Sequence, residues 1–250
     1  MSSETKPPSD WQAASLRFTA FYMKDGLEPP LSDWWTAAAG APPAEELRRT
    51  KERQMVIAGP FADGALSLEY QPLKFDFKFH PLLGSEAPDV NGLPVLGPYE
   101  SMSDLFVAAI SKIFDLPTIP QLVRTAYGAS LLHPVSDKVS AYQCLQGYLP
   151  SITIDVQNSS DFLYRINRKR PSHVDIPGLF INRLNTWSAL RSEFGIAGMS
   201  TTEMRFTCRL DLDINTIPEI DTPLPKEKLP ALLTELAEMA KEISVQGDRP

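Results

Sequence analysis

Two aspartates, Asp211 and Asp213, alternate with apolar residues in the segment LDLDIN and form a D-x-D pattern. On a β-strand their side chains would point to the same face about 7 Å apart, so the carboxylates could share a hard metal ion with a third acidic ligand. Asp76 and Asp155 are candidates for that third ligand, because each lies on the polar side of another predicted strand. This arrangement would be typical of a metal-dependent hydrolase. The alternative is a solvated sheet face on which the aspartates pair with the cations Arg205, Arg209, Lys74 and Lys78.

A second candidate site is the basic segment YRINRKRPSH, which spans Tyr164–His173. Clustered cations bind phosphates, and neighbouring aromatic rings stack on bases, so the segment predicts a nucleic-acid or nucleotide site. The alternative is a basic hairpin that meets an acidic protein partner or keeps an acidic chain in solution. The candidate ligand-binding residues are Arg165, Arg168, Lys169, Arg170 and, on the next predicted strand, Arg183.

The sequence contains none of the common enzyme motifs: no G-x-S-x-G, H-E-x-x-H, C-x-x-C, Walker loop or G-x-G-x-x-G. The three histidines, His80, His133 and His173, are scattered, and none stands at metal-ligand spacing from another. We interpret Cys144 and Cys208 as free thiols of a reducing compartment, with a disulfide or metal pair as the alternative. We therefore predict no cofactor and favour a non-enzymatic protein.

These candidate residues depend on strands for their positions, and two segments alternate strictly between apolar and polar residues. In Glu203–Asn215 every even position is apolar and every odd position is polar or charged. Leu73–His80 alternates in the same way, with three phenylalanines on its apolar side. Successive strand side chains point to opposite faces, so each segment predicts a strand with one buried and one polar face.

Helical spacing of apolar residues appears in Ser101–Phe114 and in a C-terminal stripe from Leu229 to Ile243. A further helix is predicted at Val135–Gly147, where Pro134 introduces it. Hairpin-like neighbours dominate the strands, so we predict an α+β fold: a large, mainly antiparallel sheet with helices packed on one face. Residues 1–12 are predicted to be a disordered tail, and residues 13–247 to form one domain. We interpret Ala41–Arg53 as a charged connector, with a partly helical segment as the alternative, and Pro81–Pro98 as a long functional or mobile loop. Further strands are predicted at Leu122–Leu132, Ile152–Val156, Asp161–Lys169, Ile176–Leu184 and Trp187–Phe194.

Two segments of this chain resemble a sporadically distributed, uncharacterised family of bacterial proteins of about 250 residues. They are RTAYGASLLHP, at Arg124–Pro134, and LDLDIN followed by the C-terminal amphipathic helix. That family carries a strand similar to R-x-G-L-R-Y-x-N before its middle helix and an L-D-I-D strand before its last one. Tyr127 and Gly128 depart from the first pattern, which is more basic and ends in asparagine. The resemblance implies a bacterial source and an architecture, and it carries over no functional residues.

The chain has 250 residues, a formal net charge of −7 and 43% hydrophobic residues, which is the ordinary globular range. This acidity argues against a protein whose whole surface grips nucleic acid or an anionic membrane. The N-terminus lacks the apolar stretch of a secretory signal, so we expect a cytoplasmic location and no membrane association. Our first hypothesis is a binding or accessory protein that holds a protein partner on the polar face of its sheet. A nucleic-acid-binding component of a defence or regulatory complex is the second hypothesis, and the metal-dependent hydrolase is the third.

Overall fold

The structure is a computed structural model, and it describes residues 10–23, 29–49, 51–82, 88–195, 202–218 and 222–249. Residues 1–9 of the predicted tail therefore lie outside the described part of the chain. Residues 11 and 12, which the sequence prediction assigned to the disordered tail, are ordered: Trp11 is buried, and Gln12 is the first residue of the first strand.

A ten-stranded antiparallel sheet is the central element. Its order is β10-β11-β12-β9-β1-β5-β4-β3-β2, and the short β8 pairs with β1. Two further short strands, β6 and β7, form a separate hairpin. The strands are β1 (Gln12–Tyr22), β2 (Glu45–Arg49), β3 (Gln54–Phe61), β4 (Gly64–Gln71), β5 (Lys74–Pro81), β6 (Asp89–Val90), β7 (Leu93–Pro94), β8 (Gly97–Pro98), β9 (Leu122–Val135), β10 (Leu163–Pro171), β11 (Phe180–Gly195) and β12 (Thr202–Thr216).

Four α-helices pack on one face of this sheet: α1 (Leu31–Ala39), α2 (Tyr99–Ser111), α3 (Lys138–Tyr148) and α4 (Leu229–Gln246). Hydrogen bonds tie them to it, as when Tyr127 of β9 donates to Ser103 of α2 over 2.9 Å. The predicted α+β class, with a large antiparallel sheet and helices on one face, is confirmed. Within the described residues, no helix combines the length and the apolar character that crossing a membrane would require.

The strict alternation of the two best strands places most of their apolar residues as predicted, whereas Leu73 and Met204, at the starts of the two predicted segments, are exposed. Cys208, Leu210 and Ile214 of β12 are fully buried under the helices, and so are the three phenylalanines of β5. Burial of one such side chain contributes about 1.5–3 kcal/mol. A slip of one residue would move this apolar set to solvent and the aspartates into the core, so the register is strongly specified.

The structure differs from the sequence prediction at several segments. The strands predicted at Ile176–Leu184 and Trp187–Phe194 are one strand, β11, and residues 176–179 precede it without strand pairing. The connector Ala41–Arg53 contains β2, a strand whose five residues are all exposed and which has no apolar alternation to reveal it.

The predicted strand Ile152–Val156 is wrong, because this segment is irregular and leads into a turn at residues 156–158. Asp155 accepts hydrogen bonds from the backbone amides of Gln157 and Asn158, and such local bonds compete with strand pairing.

Gly247 and Asp248, near the end of the described chain, pack against Tyr148 at the end of α3. Gly247 has φ 77°, and an added Cβ would collide with the carbonyl oxygen of Tyr148. The amide of Asp248 donates to that same oxygen over 2.9 Å. Only glycine fits this turn without displacing the Asp248 side chain from its buried position.

We predict that Gly247→Ala destabilises the protein by about 3 kcal/mol, from backbone strain or from release of the terminal segment. The matched control is Gly147→Ala, because an added Cβ at Gly147 meets nothing within 4 Å and alanine favours a helix interior. Chemical denaturation of both variants measures the difference. Equal stability of Gly247→Ala and the unmodified protein would contradict this description of the C-terminus.

Candidate functional site

The face of the sheet that carries no helix contains a cavity of about 540 Å³ on β1, β9, β12, β11 and β10. We call the side chains of these five strands that point away from the helices the open face. The strand register aligns one residue from each strand in a single row across the cavity: Ser15, Ser130, Asp211, Thr186 and Arg165. At ordinary strand spacing this row spans about 19 Å of backbone. The site is therefore built by pairing of strands that are distant in sequence.

Arg17 lies at one side of this cavity, next to a position without a side chain. Its strand pairs it with Gly128 of β9, and a Cβ built on Gly128 would lie 3.3 Å from Nε and 3.4 Å from Nη2 of Arg17. Glycine thus leaves room for the guanidinium to lie close to the sheet. The Nε atom is buried and has no hydrogen-bond partner among the described residues.

The two aspartates of the D-x-D pattern form part of the cavity lining and have different partners. Asp211 accepts a hydrogen bond from Ser130 over 2.7 Å and forms a salt bridge with Arg209 over 2.8 Å. Asp213 accepts one hydrogen bond, over 3.2 Å, from the side chain of Asn215. The charge of Asp211 is therefore compensated within the sheet, while Asp213 is held by a neutral donor.

The open face is cationic although the whole chain carries a net charge of −7. Among the side chains that the structure describes there, the carboxylates are Asp211 and Asp213. Arg124 is fixed by hydrogen bonds to the Thr216 carbonyl oxygen and to Asn215. The cations of this face are Arg17, Arg124, Arg165, Lys169, Arg205 and Arg209.

Part of the predicted Pro81–Pro98 loop forms the hairpin β6–β7 and covers one end of the open face. Val90 and Val95 pack on Leu132 of β9 in a small apolar cluster. Asn91 donates hydrogen bonds to the Phe206 carbonyl oxygen over 2.6 Å and to the Thr207 hydroxyl over 3.1 Å. The hairpin therefore closes one end of the face. Residues 83–87 of the loop lie outside the described part of the chain.

The predicted basic cluster is divided between the two faces of the sheet. Arg165 and Lys169 lie on the open face, whereas Arg168, Arg170 and Arg183 point to the helices. The reason is the strand period, because alternate residues of β10 face opposite sides. Sequence proximity therefore does not make these five cations one patch.

Acidic residues near the C-terminus neutralise the three cations on the helix face. Arg168 binds the buried carboxylate of Asp248 with two hydrogen bonds, over 2.7 and 2.8 Å. Glu242 of α4 accepts salt bridges from Arg170 over 2.9 Å and from Arg183 over 3.2 Å. Burial lowers the pKa of the Arg183 guanidinium, whose side chain is 4% exposed. These arginines fasten α4 and the chain end to the sheet.

The four predicted metal ligands are not brought together. Asp76 lies on β5, where it accepts hydrogen bonds from Thr19 and Lys74, and Asp155 lies in a turn beyond α3. Only Asp211 and Asp213 share the cavity. Among the described residues, no three His, Cys, Asp or Glu side chains are grouped so that they could hold a metal ion.

Sequence reasoning missed Arg17 and Gly128, the pair at the other side of the cavity from Arg165. A signal for Arg17 existed, because it occupies a polar position in the alternating first strand. Gly128 had no such signal, since only the pairing of β1 with β9 places it beside Arg17. No family model matches the chain, and neither a curated protein nor a solved structure with significant similarity to it was found. The resemblance to the uncharacterised bacterial family stays a prediction.

We predict that Asp248→Asn destabilises the protein by about 3 kcal/mol at pH 7, because it removes one member of a buried pair. Burial alone would raise the pKa of Asp248, but hydrogen bonds from Arg168 and Tyr164 outweigh it and lower the pKa. A lowered folded-state pKa contributes stability above the ordinary aspartate value, about 3.9, and loses it as the pH falls further. The variant should therefore lose part of the acid sensitivity of stability below about pH 4.

Urea denaturation at several pH values measures both effects. The control is Glu193→Gln, which removes a carboxylate from an exposed ion pair with Arg191 and should change stability by less than about 1 kcal/mol. Unchanged stability of Asp248→Asn at pH 7 would show that this ion pair does not anchor the C-terminus.

Proposed function

We propose that this protein is a non-enzymatic binding or accessory protein that holds an acidic protein partner on its open face. The observation that carries the proposal is the charge contrast between a cationic open face and a chain with a net charge of −7. Complementary charge steers association and fixes the register of partners. The helix face is engaged in the core, so the open face is the broad surface on which the sheet remains accessible.

The composition of the cavity also supports a protein partner. Arg17 and Arg165 line it together with Leu163 and Leu184, and Leu163 is 67% exposed. Interfaces between proteins are enriched in arginine and combine apolar contacts with a polar rim. A cavity of about 540 Å³ is large enough to take several side chains of a partner.

Binding of nucleic acid by the five candidate cations has less support. Single-stranded nucleic acid is held by basic grooves together with aromatic side chains on which bases stack. Among the described residues that line the cavity, none is aromatic. Three of the five cations, Arg168, Arg170 and Arg183, are engaged by Asp248 and Glu242.

A hydrolase also has less support than a binding protein. The described lining of the cavity includes the hydroxyls of Ser15, Ser130 and Thr186, but no histidine that could serve as their base. Ser130 donates its hydroxyl proton to Asp211, whose charge Arg209 compensates. This arrangement orders the floor of the cavity rather than activating a nucleophile.

We place this function in the reducing cytoplasm of a bacterium. Cys208 is buried and its thiol donates to the Ala141 carbonyl oxygen over 3.4 Å, and both Cys208 and its neighbour Cys144 are free thiols. Two neighbouring unbonded thiols fit a compartment that keeps cysteines reduced. The bacterial source rests on the resemblance of two segments, Arg124–Pro134 and LDLDIN with the helix that follows it, to the uncharacterised bacterial family.

The proposal predicts a stoichiometric protein partner that depends on the open face. Tagged protein purified from its native host should retain that partner, and the double charge reversal Arg17→Glu with Arg165→Glu should remove most of it. The control Lys51→Glu with Lys112→Glu changes net charge equally at two exposed positions outside the open face. This control should retain the partner, and the retained amount should fall as salt rises.

Quantitative mass spectrometry of the purified material measures the result. Equal loss of the partner in both double variants would overturn the assignment to the open face. A recovered ligand that nuclease treatment removes would instead favour nucleic-acid binding.

A further inference from the structure

The outer edge of β10 carries backbone groups that the pairing with β11 does not use. β10 is the last strand in the order of the sheet, and in the part of the chain that the structure describes it pairs with β11 alone. An edge strand presents a row of amides and carbonyl oxygens with which another strand can pair, and this one is nine residues long. We call this row the β10 edge.

Two hydrogen bonds beyond the strand ends show which backbone groups of β10 point outward. The Ser172 amide donates to the Leu179 carbonyl oxygen over 3.0 Å, and the Ile217 amide donates to the Phe180 carbonyl oxygen over 3.1 Å. In an antiparallel pair, residues that bond to the neighbouring strand alternate with residues that do not. Along the β10–β11 register, the even-numbered residues of β10 therefore bond to β11, and the backbone groups of the odd-numbered residues point to the outside.

The residues with outward backbone groups also have their side chains on the open face, because both alternations have a period of two. Leu163, Arg165 and Asn167 belong to this set, and all three are exposed. Within the described residues, no hydrogen bond from outside the sheet reaches their backbone groups. A strand added at the β10 edge would therefore place its bonded residues directly opposite these three, with side chains on the open face.

The charges along the β10 edge determine which strand can be added. Arg165 and Lys169 both lie on the open face, with Asn167 between them. Like charges directly opposite each other destabilise a strand pair, whereas opposite charges stabilise it. Two copies of β10 that paired around Asn167 would oppose Arg165 to Lys169, so a second copy of the chain is disfavoured. A strand with carboxylates opposite these two cations is favoured.

The aspartates of the open face lie too far from the β10 edge to repel such a strand strongly. Asp211 and Asp213 are on β12, and β11 separates β12 from β10. An added strand would lie three strand spacings from β12, about 14 Å. This distance exceeds the screening length of about 8 Å at physiological salt. Arg165 would be only one strand spacing away, so attraction to the cation outweighs the repulsion.

We infer that the partner adds an acidic, extended segment to the β10 edge as a further strand, antiparallel to β10. Backbone hydrogen bonds supply affinity in this mode of binding, and alternate side chains supply specificity. Carboxylates opposite Arg165 and Lys169 fix the register, and an apolar side chain covers Leu163, which is 67% exposed. This inference rests on the proposed binding function and names the segment of the partner that the protein receives.

The test uses the capped peptide acetyl-TTETTVETV-amide, whose two glutamates face Lys169 and Arg165 when it pairs antiparallel with Leu163–Pro171. Hydrogen exchange of the whole protein, followed by NMR, shows where the peptide binds. Without peptide, the amides of Arg165 and Asn167 should exchange fast and those of their even-numbered neighbours slowly. The peptide should slow exchange at Arg165 and Asn167, because their amides gain acceptors.

Methylation of the peptide backbone provides a matched pair of probes. The amide of its fifth residue faces Asn167, so N-methylation there removes a bond to β10 and should weaken affinity about tenfold or more. The amide of its sixth residue points away from β10, so N-methylation there should change affinity by less than about threefold. Replacing both glutamates by glutamine should weaken affinity about threefold or more.

The protein offers a matched pair of variants at one position. Asn167→Pro removes an outward amide that makes no bond to β11, so proline is compatible with this edge position and should abolish peptide binding. Asn167→Thr loses the same side chain, which donates to Asn182 over 3.0 Å, but keeps the amide and should bind as the unmodified protein does. If thermal melting shows that Asn167→Pro does not fold, the methylated peptides decide.

Three results would overturn the inference. The first is equal affinity of the two methylated peptides, and the second is peptide binding without slower exchange at Arg165 and Asn167. The third is a dimer of the protein alone that Asn167→Pro dissociates, because a second copy would then occupy the β10 edge.

The outcomes also separate this inference from the proposed function. A host partner that is lost from the double variant Arg17→Glu with Arg165→Glu, but retained by Asn167→Pro, would overturn binding at the β10 edge and leave the proposed function standing. Peptide binding with the expected effects of methylation, without any stoichiometric host partner, would support the β10 edge and overturn the proposed function.

Discussion

The rest of the structure depends on the alternation of side chains across one sheet that is covered on one face only. Because consecutive strand residues point to opposite faces, each long strand contributes to both the core and the open face. β12 shows the consequence: Leu210 and Leu212 bury under the helices, while Asp211 between them forms part of the cavity floor. Packing of the core therefore determines which polar side chains reach the open face and in what register.

The same alternation determines on which face of the sheet each cation lies. Arg168 and Arg170 lie one residue on either side of Lys169, yet they belong to the opposite face. Acidic groups of α4 and the chain end, Glu242 and Asp248, neutralise the arginines on the helix face. The open face has fewer carboxylates than cations among its described side chains. An acidic protein thus presents one cationic surface, and this contrast suits a binding surface better than a general affinity for polyanions.

Much of the fold could be predicted from the sequence, because apolar alternation is strong in β5 and β12 and the helical stripes are clear. Two segments were predicted wrongly for different reasons. β2 has one apolar residue, Leu47, among four charged ones and is held by pairing with β3. Ile152–Val156 alternates like a strand, but Asp155 accepts hydrogen bonds from the turn that follows it. Alternation within a segment is local information, so it predicts faces well and strand partners poorly.

The site was less predictable than the fold, for the same reason. Arg165, Asp211 and Asp213 were found as candidates, but their convergence with Arg17 and Gly128 depends on the order β10-β11-β12-β9-β1. That order brings together residues more than a hundred positions apart, and no spacing rule within one segment records it. The prediction that the basic residues form one site was wrong, because residues adjacent in a strand lie on opposite faces of the sheet.

The most direct measurement of the central claim is site-specific photo-cross-linking in the native host. In two separate variants, a photoreactive phenylalanine analogue replaces Leu184, which lines the cavity, or Lys112, which is exposed directly after the end of α2. We predict one dominant protein adduct from position 184 and none from position 112. Protein adducts from position 112 and none from position 184 would contradict the assignment of the open face as the binding surface.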